Sequence, residues 1–106
     1  MRHVEFRRLL EDNIALRVEF DSERGQIIRF VVQLECQFDD NEKWVAVVRY
    51  DTAHGYAHRD TMRPYHREEK TRMSVQDYNE AFTMAMDDIV GSRGEYYRRY
   101  EEWLKE

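Results

Sequence analysis

The sequence predicts an α+β protein, a five-stranded antiparallel meander with two C-terminal helices packed on one face of the sheet. Three observations predict it. The first half alternates apolar and polar residues with period two. The turns between these runs keep the alternation in phase. The last third repeats apolar residues at three- and four-residue spacing. Strands are expected over roughly 3–62 and helices over roughly 75–90 and 95–105.

The first strand carries Val4 and Phe6 and extends toward Leu10. The second carries Ile14, Leu16, Val18 and Phe20, and the third Ile28, Phe30, Val32, Leu34, Cys36 and Phe38. The fourth carries Trp44, Ala46, Val48 and Tyr50, and every one of these residues is at an even-numbered position. A loop over 11–13 pairs Leu10 with Ile14 and Phe6 with Val18. A loop over 23–25, with Gly25 in the left-handed position, pairs Phe20 with Ile28 and Val18 with Phe30. A loop over 39–43 pairs Phe38 with Trp44 and Val32 with Tyr50. All four apolar sets then share one face, and a one-residue slip in any hairpin would break that agreement. The opposite face reads Arg17, Glu19, Arg29, Gln33, Glu35, Arg49 and Asp51, interrupted by Ile27, Val31, Val45 and Val47. It is a solvated face, a homodimer surface or a binding groove.

If His54 and Gly55 form a two-residue turn, a fifth strand sets Asp51 opposite His58 and Arg49 opposite Asp60. Residues 61–73 are polar and irregular and contain the one proline. Ser74 is the expected N-cap of the first helix, with Asp77 completing a capping box. Val75, Tyr78, Phe82, Ala85, Met86 and Ile89 form its apolar stripe, residues 91–94 make the bend, and Tyr96, Tyr97, Tyr100, Trp103 and Leu104 form the stripe of the second helix. These stripes read as core. Asp87 and Asp88 read as an exposed side of the first helix, placed where they oppose its dipole.

The length fits one domain, residues 1–106, large enough to bury a core. Hydrophobic residues make up 42%, so the 37% charged fraction does not mean disorder. The single Cys36 excludes an intrachain disulfide and sits in an apolar pattern, as a packed thiol does. No cationic-then-apolar leader opens the sequence and no apolar run approaches a membrane span, so a cytoplasmic protein without a membrane partner is expected. The net charge of −5 argues against binding nucleic acid through overall charge.

Phosphate-binding glycine loops, paired zinc cysteines and nucleophile elbows are absent. What remains is residues 49–72, which hold His54, His58 and His66 among Arg49, Arg59, Arg63, Arg67, Lys70 and Arg72, with Tyr50, Tyr56 and Tyr65 interleaved. Cations hold phosphates and tyrosine faces stack on unpaired bases. The candidate catalytic residues are Asp51, His58, Arg49 and Asp60. His58 would transfer protons, Asp51 would fix its tautomer and the arginines would stabilise developing phosphate charge. Tyr50, His54, Tyr56, Arg59 and Arg63 are the candidate binding residues, for RNA or a nucleotide. The plainer reading is two cross-strand polar pairs, each worth a few tenths to ~1 kcal/mol. A metal site from His54, His58, Asp51 and Asp60 is disfavoured, because on a hairpin His54 sits at the tip, far from His58. No metal and no cofactor are therefore assigned. Whether the protein is an enzyme or a non-enzymatic interaction or homodimerisation module stays open.

The stretch Arg49 to Asp60, RYDTAHGYAHRD, together with Asp77 to Ala81, resembles a family of small bacterial and archaeal proteins of this length, a likeness that carries no activity with it. More distantly, Tyr50, Asp51, Gly55, His58 and Arg59 resemble the TumE-type toxins of toxin–antitoxin operons. That resemblance implies an RNA-directed toxin with a cognate antitoxin protein as partner.

Overall fold

In the computed structural model, which describes residues 1–106, six strands form one antiparallel sheet in sequence order, followed by two helices. The strands are β1 (Arg2–Glu11), β2 (Ile14–Glu23), β3 (Gln26–Cys36), β4 (Val45–Asp51), β5 (His58–Thr61) and β6 (Glu69–Arg72), and the helices are α1 (Tyr78–Gly91) and α2 (Arg93–Leu104). The meander and the two C-terminal helices are as expected, and the sheet has six strands rather than five. β6 lies in the segment expected to be irregular. All four of its residues are exposed, so it has no apolar face to betray it.

The three hairpins keep the expected phase near their centres and depart from it at bulges. Phe6 pairs with Val18 as expected, but Glu11 rather than Leu10 faces Ile14, because Leu10 is an extra residue in β1. The second loop is a two-residue turn, with Arg24 at φ 52° and Gly25 at φ 78°. That is the turn whose twist matches the strands it joins. It moves the register by one, and a bulge at Ile28 moves it by one more, so Phe20 faces Phe30 and Val18 faces Val32. An irregularity between Asp21 and Ser22 then pairs Ser22 with Ile27 and leaves Ile28 bulged. Ile27 therefore packs on the core while Ile28 is exposed, the reverse of expectation.

Val32 faces Tyr50 as expected, but an extra residue in β4 pairs Glu35 with Ala46 and Cys36 with Val45. A bulge of this kind exchanges the faces of every residue beyond it. Val45 packs on the core and Val47 belongs to it. Ala46 lies opposite Glu35, and Trp44 packs under the Arg7 guanidinium, 4.6 Å from the ring centre. The expected pair of Phe38 and Trp44 does not form.

α1 begins three residues later than expected because Asp77, not Ser74, is the N-cap. The Asp77 carboxylate accepts from the Glu80 amide at 2.8 Å. Ser92 serves as the C-cap of α1 and the N-cap of α2, so the bend is one residue. α1 packs on β3 and α2 on β4. Phe82 lies edge-on to Phe20 and Phe30, and Phe38 stacks on Tyr97 and Tyr100 at 4.7 and 5.2 Å. Asn79, at the start of α1, accepts from the Ile27 amide and donates to the Gly25 carbonyl, which ties the bulged hairpin to the helix. The helices cover one face, and the other remains open.

Candidate functional site

The open face carries a ladder of polar pairs. Arg7 meets Glu35 at 2.8 Å, Gln33 donates to Glu35, and Arg49 donates to Gln33 at 2.7 Å. Farther out, Asp21 takes His3 and Arg29. This is the solvated-face reading, and it consumes most of the charges there. At β4 and β5 the ladder gives way to a buried cluster.

Asp51 faces His58 and Arg49 faces Asp60, as expected. The connection is not a two-residue turn. Pairing stops at Asp51 and His58, and residues 52–57 form a six-residue loop. Its even length preserves the phase. The Asp51 carboxylate starts the loop by accepting from the Ala53 amide at 3.0 Å, and Gly55 closes it at φ 83° with its N–H donated to the Thr52 carbonyl. The loop places His54 and Tyr56 against His58, with ring centres 5.4 and 5.5 Å away.

His58 is 1% exposed, Asp60 3% and Asp51 7%. His58 Nε2 lies 3.0 Å from Asp51 Oδ1 and 3.6 Å from Asp60 Oδ1. Neither oxygen lies where an Nε2–H would point, so this nitrogen is buried without a hydrogen bond. The other ring nitrogen, Nδ1, is 3.3 Å from the Tyr56 carbonyl. A carbonyl only accepts, so Nδ1 carries the proton in that contact. Lys70 on β6 reaches Asp60 Oδ1 at 3.1 Å, and that hydrogen bond raises the ammonium above its ordinary value. Beside Asp51 a hollow of about 270 Å³ opens between Arg29, Val31, Thr52 and Ala53.

The structure thus brings together Asp51, His58 and Asp60, with His54 and Tyr56 above them. Arg49 is on the same face and is held by Gln33. Tyr50, Arg59 and Arg63 lie elsewhere. Tyr50 and its cross-strand partner Arg59 point to the helix side, where the Tyr50 hydroxyl donates to Asp88 at 2.6 Å. Tyr96 donates to the same carboxylate oxygen, so Asp88 is not the free exposed acid the helix pattern suggested. Burial, with the carboxylate behind it, raises both phenols, Tyr96 to about 12. Arg63 is pinned against α2, ion-paired to Glu106 and lying over Trp103.

Two residues join the site that the sequence did not place there. Lys70 and Arg72 stand out in sequence only as charges, and β6 is what carries them to the cluster. Lys70 is paired with Asp60, and Arg72 faces His58 and lies over Tyr56. Residues 69–72 are all polar, so no alternation in the sequence marks them as a strand.

A family model described as Domain of unknown function (DUF7718) matches residues 1–106. The chain belongs to that family. Neither the curated proteins nor the solved structures contain a match. No helix is long and apolar enough to cross a membrane.

Proposed function

We propose that this protein acts on phosphate groups of RNA or of a nucleotide, as a toxin-like enzyme, with Asp51, His58 and Asp60 as its reacting centre. One observation carries the reading. An imidazole 1% exposed stands against two buried carboxylates, oriented by the Tyr56 carbonyl, with its second nitrogen unpaired. Burying such groups costs stability in a small protein, and groups held this way concentrate at functional sites.

The surroundings suit a phosphate. Lys70 and Arg72 stand beside the cluster and Arg29 lines the hollow next to Asp51. The rings of His54 and Tyr56 offer stacking surface for a base. The acidic balance of the whole chain restricts attraction to this local patch, which favours a nucleotide or a short single-stranded segment over a long duplex.

The test is turnover of single-stranded RNA and nucleotides by purified protein. Wild type should cleave, and His58→Ala should lower the rate by about 10²–10⁴-fold, the range for a group at a reacting centre. Cleavage that survives in His58→Ala removes the reading. Expression of the protein alone should arrest growth, and an antitoxin should relieve it.

A second reading, an interaction module, draws on β1. Its outer edge is unpaired along ten residues, and Phe6 and Leu9 are 39% and 57% exposed. Unpaired edges accept added strands. The open face is the weaker surface for a homodimer, because Val45 and Val47 have moved to the core side.

A further inference from the structure

The geometry points to a divalent-cation site formed by Asp51, His58 and Asp60, and we propose that it takes a first-row ion such as Mn²⁺. The inference deepens the phosphate reading by naming what the centre holds.

Three features of the cluster converge. The first is spacing. Nitrogen and oxygen ligands bind such an ion at about 2.0–2.2 Å, so neighbouring ligands stand roughly 3.0–3.6 Å apart. His58 Nε2 is 3.0 and 3.6 Å from the two carboxylate oxygens, and all three ligand atoms lie within 4.8 Å of one another.

The second is the state of the imidazole. With the proton on Nδ1, directed at the Tyr56 carbonyl, Nε2 presents a lone pair. A lone pair 3.0 Å from a carboxylate oxygen is repulsive unless something positive lies between them. A proton on Nε2 would not serve, since neither oxygen is in line to accept it. A cation bound by both satisfies nitrogen and oxygen together. The carbonyl on Nδ1 is also the outer contact that orients a metal-binding histidine.

The third is charge. Two buried carboxylates face one ion-paired cation, Lys70, whose side chain is 42% exposed, while Arg72 lies over Tyr56 and pairs with neither. Arg49, the cross-strand neighbour of Asp60, gives its Nε to Gln33 instead. A divalent ion supplies the missing positive charge, and two carboxylates with one imidazole suit Mn²⁺ or its neighbours. His54 is not needed, which removes the spacing objection raised by the sequence. The hollow beside Asp51 gives room for water or a phosphate oxygen next to that ligand.

A second cluster, His3, Glu5 and Glu19, lies at the exposed end of the face. There His3 Nδ1 is already bonded to Asp21, and no buried nitrogen is unpaired. It serves as the control.

The experiment titrates Mn²⁺ into chelator-stripped protein without a histidine tag and follows free ion by electron paramagnetic resonance. One ion per chain should bind. His58→Gln, Asp51→Asn and Asp60→Asn should each weaken binding at least about tenfold, with folding checked by circular dichroism. His3→Ala should leave it unchanged. Lys70→Ala, an exposed change, should tighten binding severalfold by removing the competing ammonium. Binding weaker than about 1 mM in wild type, binding lost in His3→Ala, or binding indifferent to both His58→Gln and Lys70→Ala overturns the site. A bound ion with no RNA or nucleotide turnover leaves the metal site standing and removes the phosphate reading. Turnover by protein that binds no ion does the reverse.

Discussion

β4 and β5 hold two polar clusters, one on each face, and the residues alternate between them. Asp51, His58 and Asp60 point to the open face, while Tyr50 and Arg59 point to the helices. On the helix side the carboxylate of Asp88 receives two phenol hydroxyls, and both tyrosines are buried. Arg99 lies over the Tyr96 and Trp103 rings, and Arg59 Nε and two Arg99 nitrogens are buried on this side without a hydrogen-bond partner. That cluster joins α1, α2 and β4, and its one carboxylate is fully engaged by neutral hydroxyls. On the open face two acids meet one ammonium, and an imidazole nitrogen has nothing to bond. Under the proposed function, the difference separates a polar cluster that holds the fold from one that the fold holds for chemistry. Substitutions should divide accordingly.

The largest effect is expected on the open face. Asp51→Asn should reduce turnover by about two orders of magnitude. Stability should stay level or rise, because a neutral amide relieves two carboxylates of each other at little change in volume. Urea unfolding and a turnover assay on the same preparation check both halves. A loss of stability with turnover kept would make the open-face cluster structural and erase the contrast.

The next effect belongs to the helix side. Asp88→Ala strands two buried hydroxyls and should cost about 2–4 kcal/mol, read as a lower urea midpoint. Turnover per folded molecule should hold. If turnover falls with stability intact, the two clusters are coupled through the strands and cannot be assigned separate work.

How much of this was legible in the sequence follows from what sets each feature. The alternation of Leu16, Val18 and Phe20 fixed a face because only the charged Arg17 and Glu19 stand between them. The bulges at Ile28 and in β4 left a trace in the odd-numbered Ile27, Val45 and Val47, but apolar interruptions of a solvated face look the same, and only the partner strand decides. That is why Val45 and Val47 were expected on the wrong face. Ser74 and Asp77 are equally good caps by chemistry, and the choice is made by where Asn79 must stand to reach the β2–β3 hairpin. Asp51 opposite His58 was legible because the six-residue loop is centred on His54 and Gly55, the same two residues as the expected turn, so the pairing is unchanged. Tyr50 and Asp88 are 38 residues apart, and no local pattern links them. The role of Lys70 required β6, whose polar residues hide a strand.

The smallest effect sharpens the comparison by pH. Burial, followed by the hydrogen bond to Asp88, raises the phenols of Tyr50 and Tyr96, the latter to about 12. An unfolded tyrosine loses its proton near pH 10. Between those values the unfolded chain releases protons that the native state still holds, so stability falls as pH rises. Below pH 10 both states are protonated and the pair contributes no slope. Cys36, pushed up to about 12 by burial, adds to the same decline. In a Cys36→Ala background, the double variant Tyr50→Phe, Tyr96→Phe should start less stable by about 1–3 kcal/mol at pH 8. It should then lose less on going to pH 11. Urea midpoints at the two pH values decide it. An equal alkaline loss in both proteins would mean that these hydroxyls are not the protons the helix side holds, and that packing alone joins it.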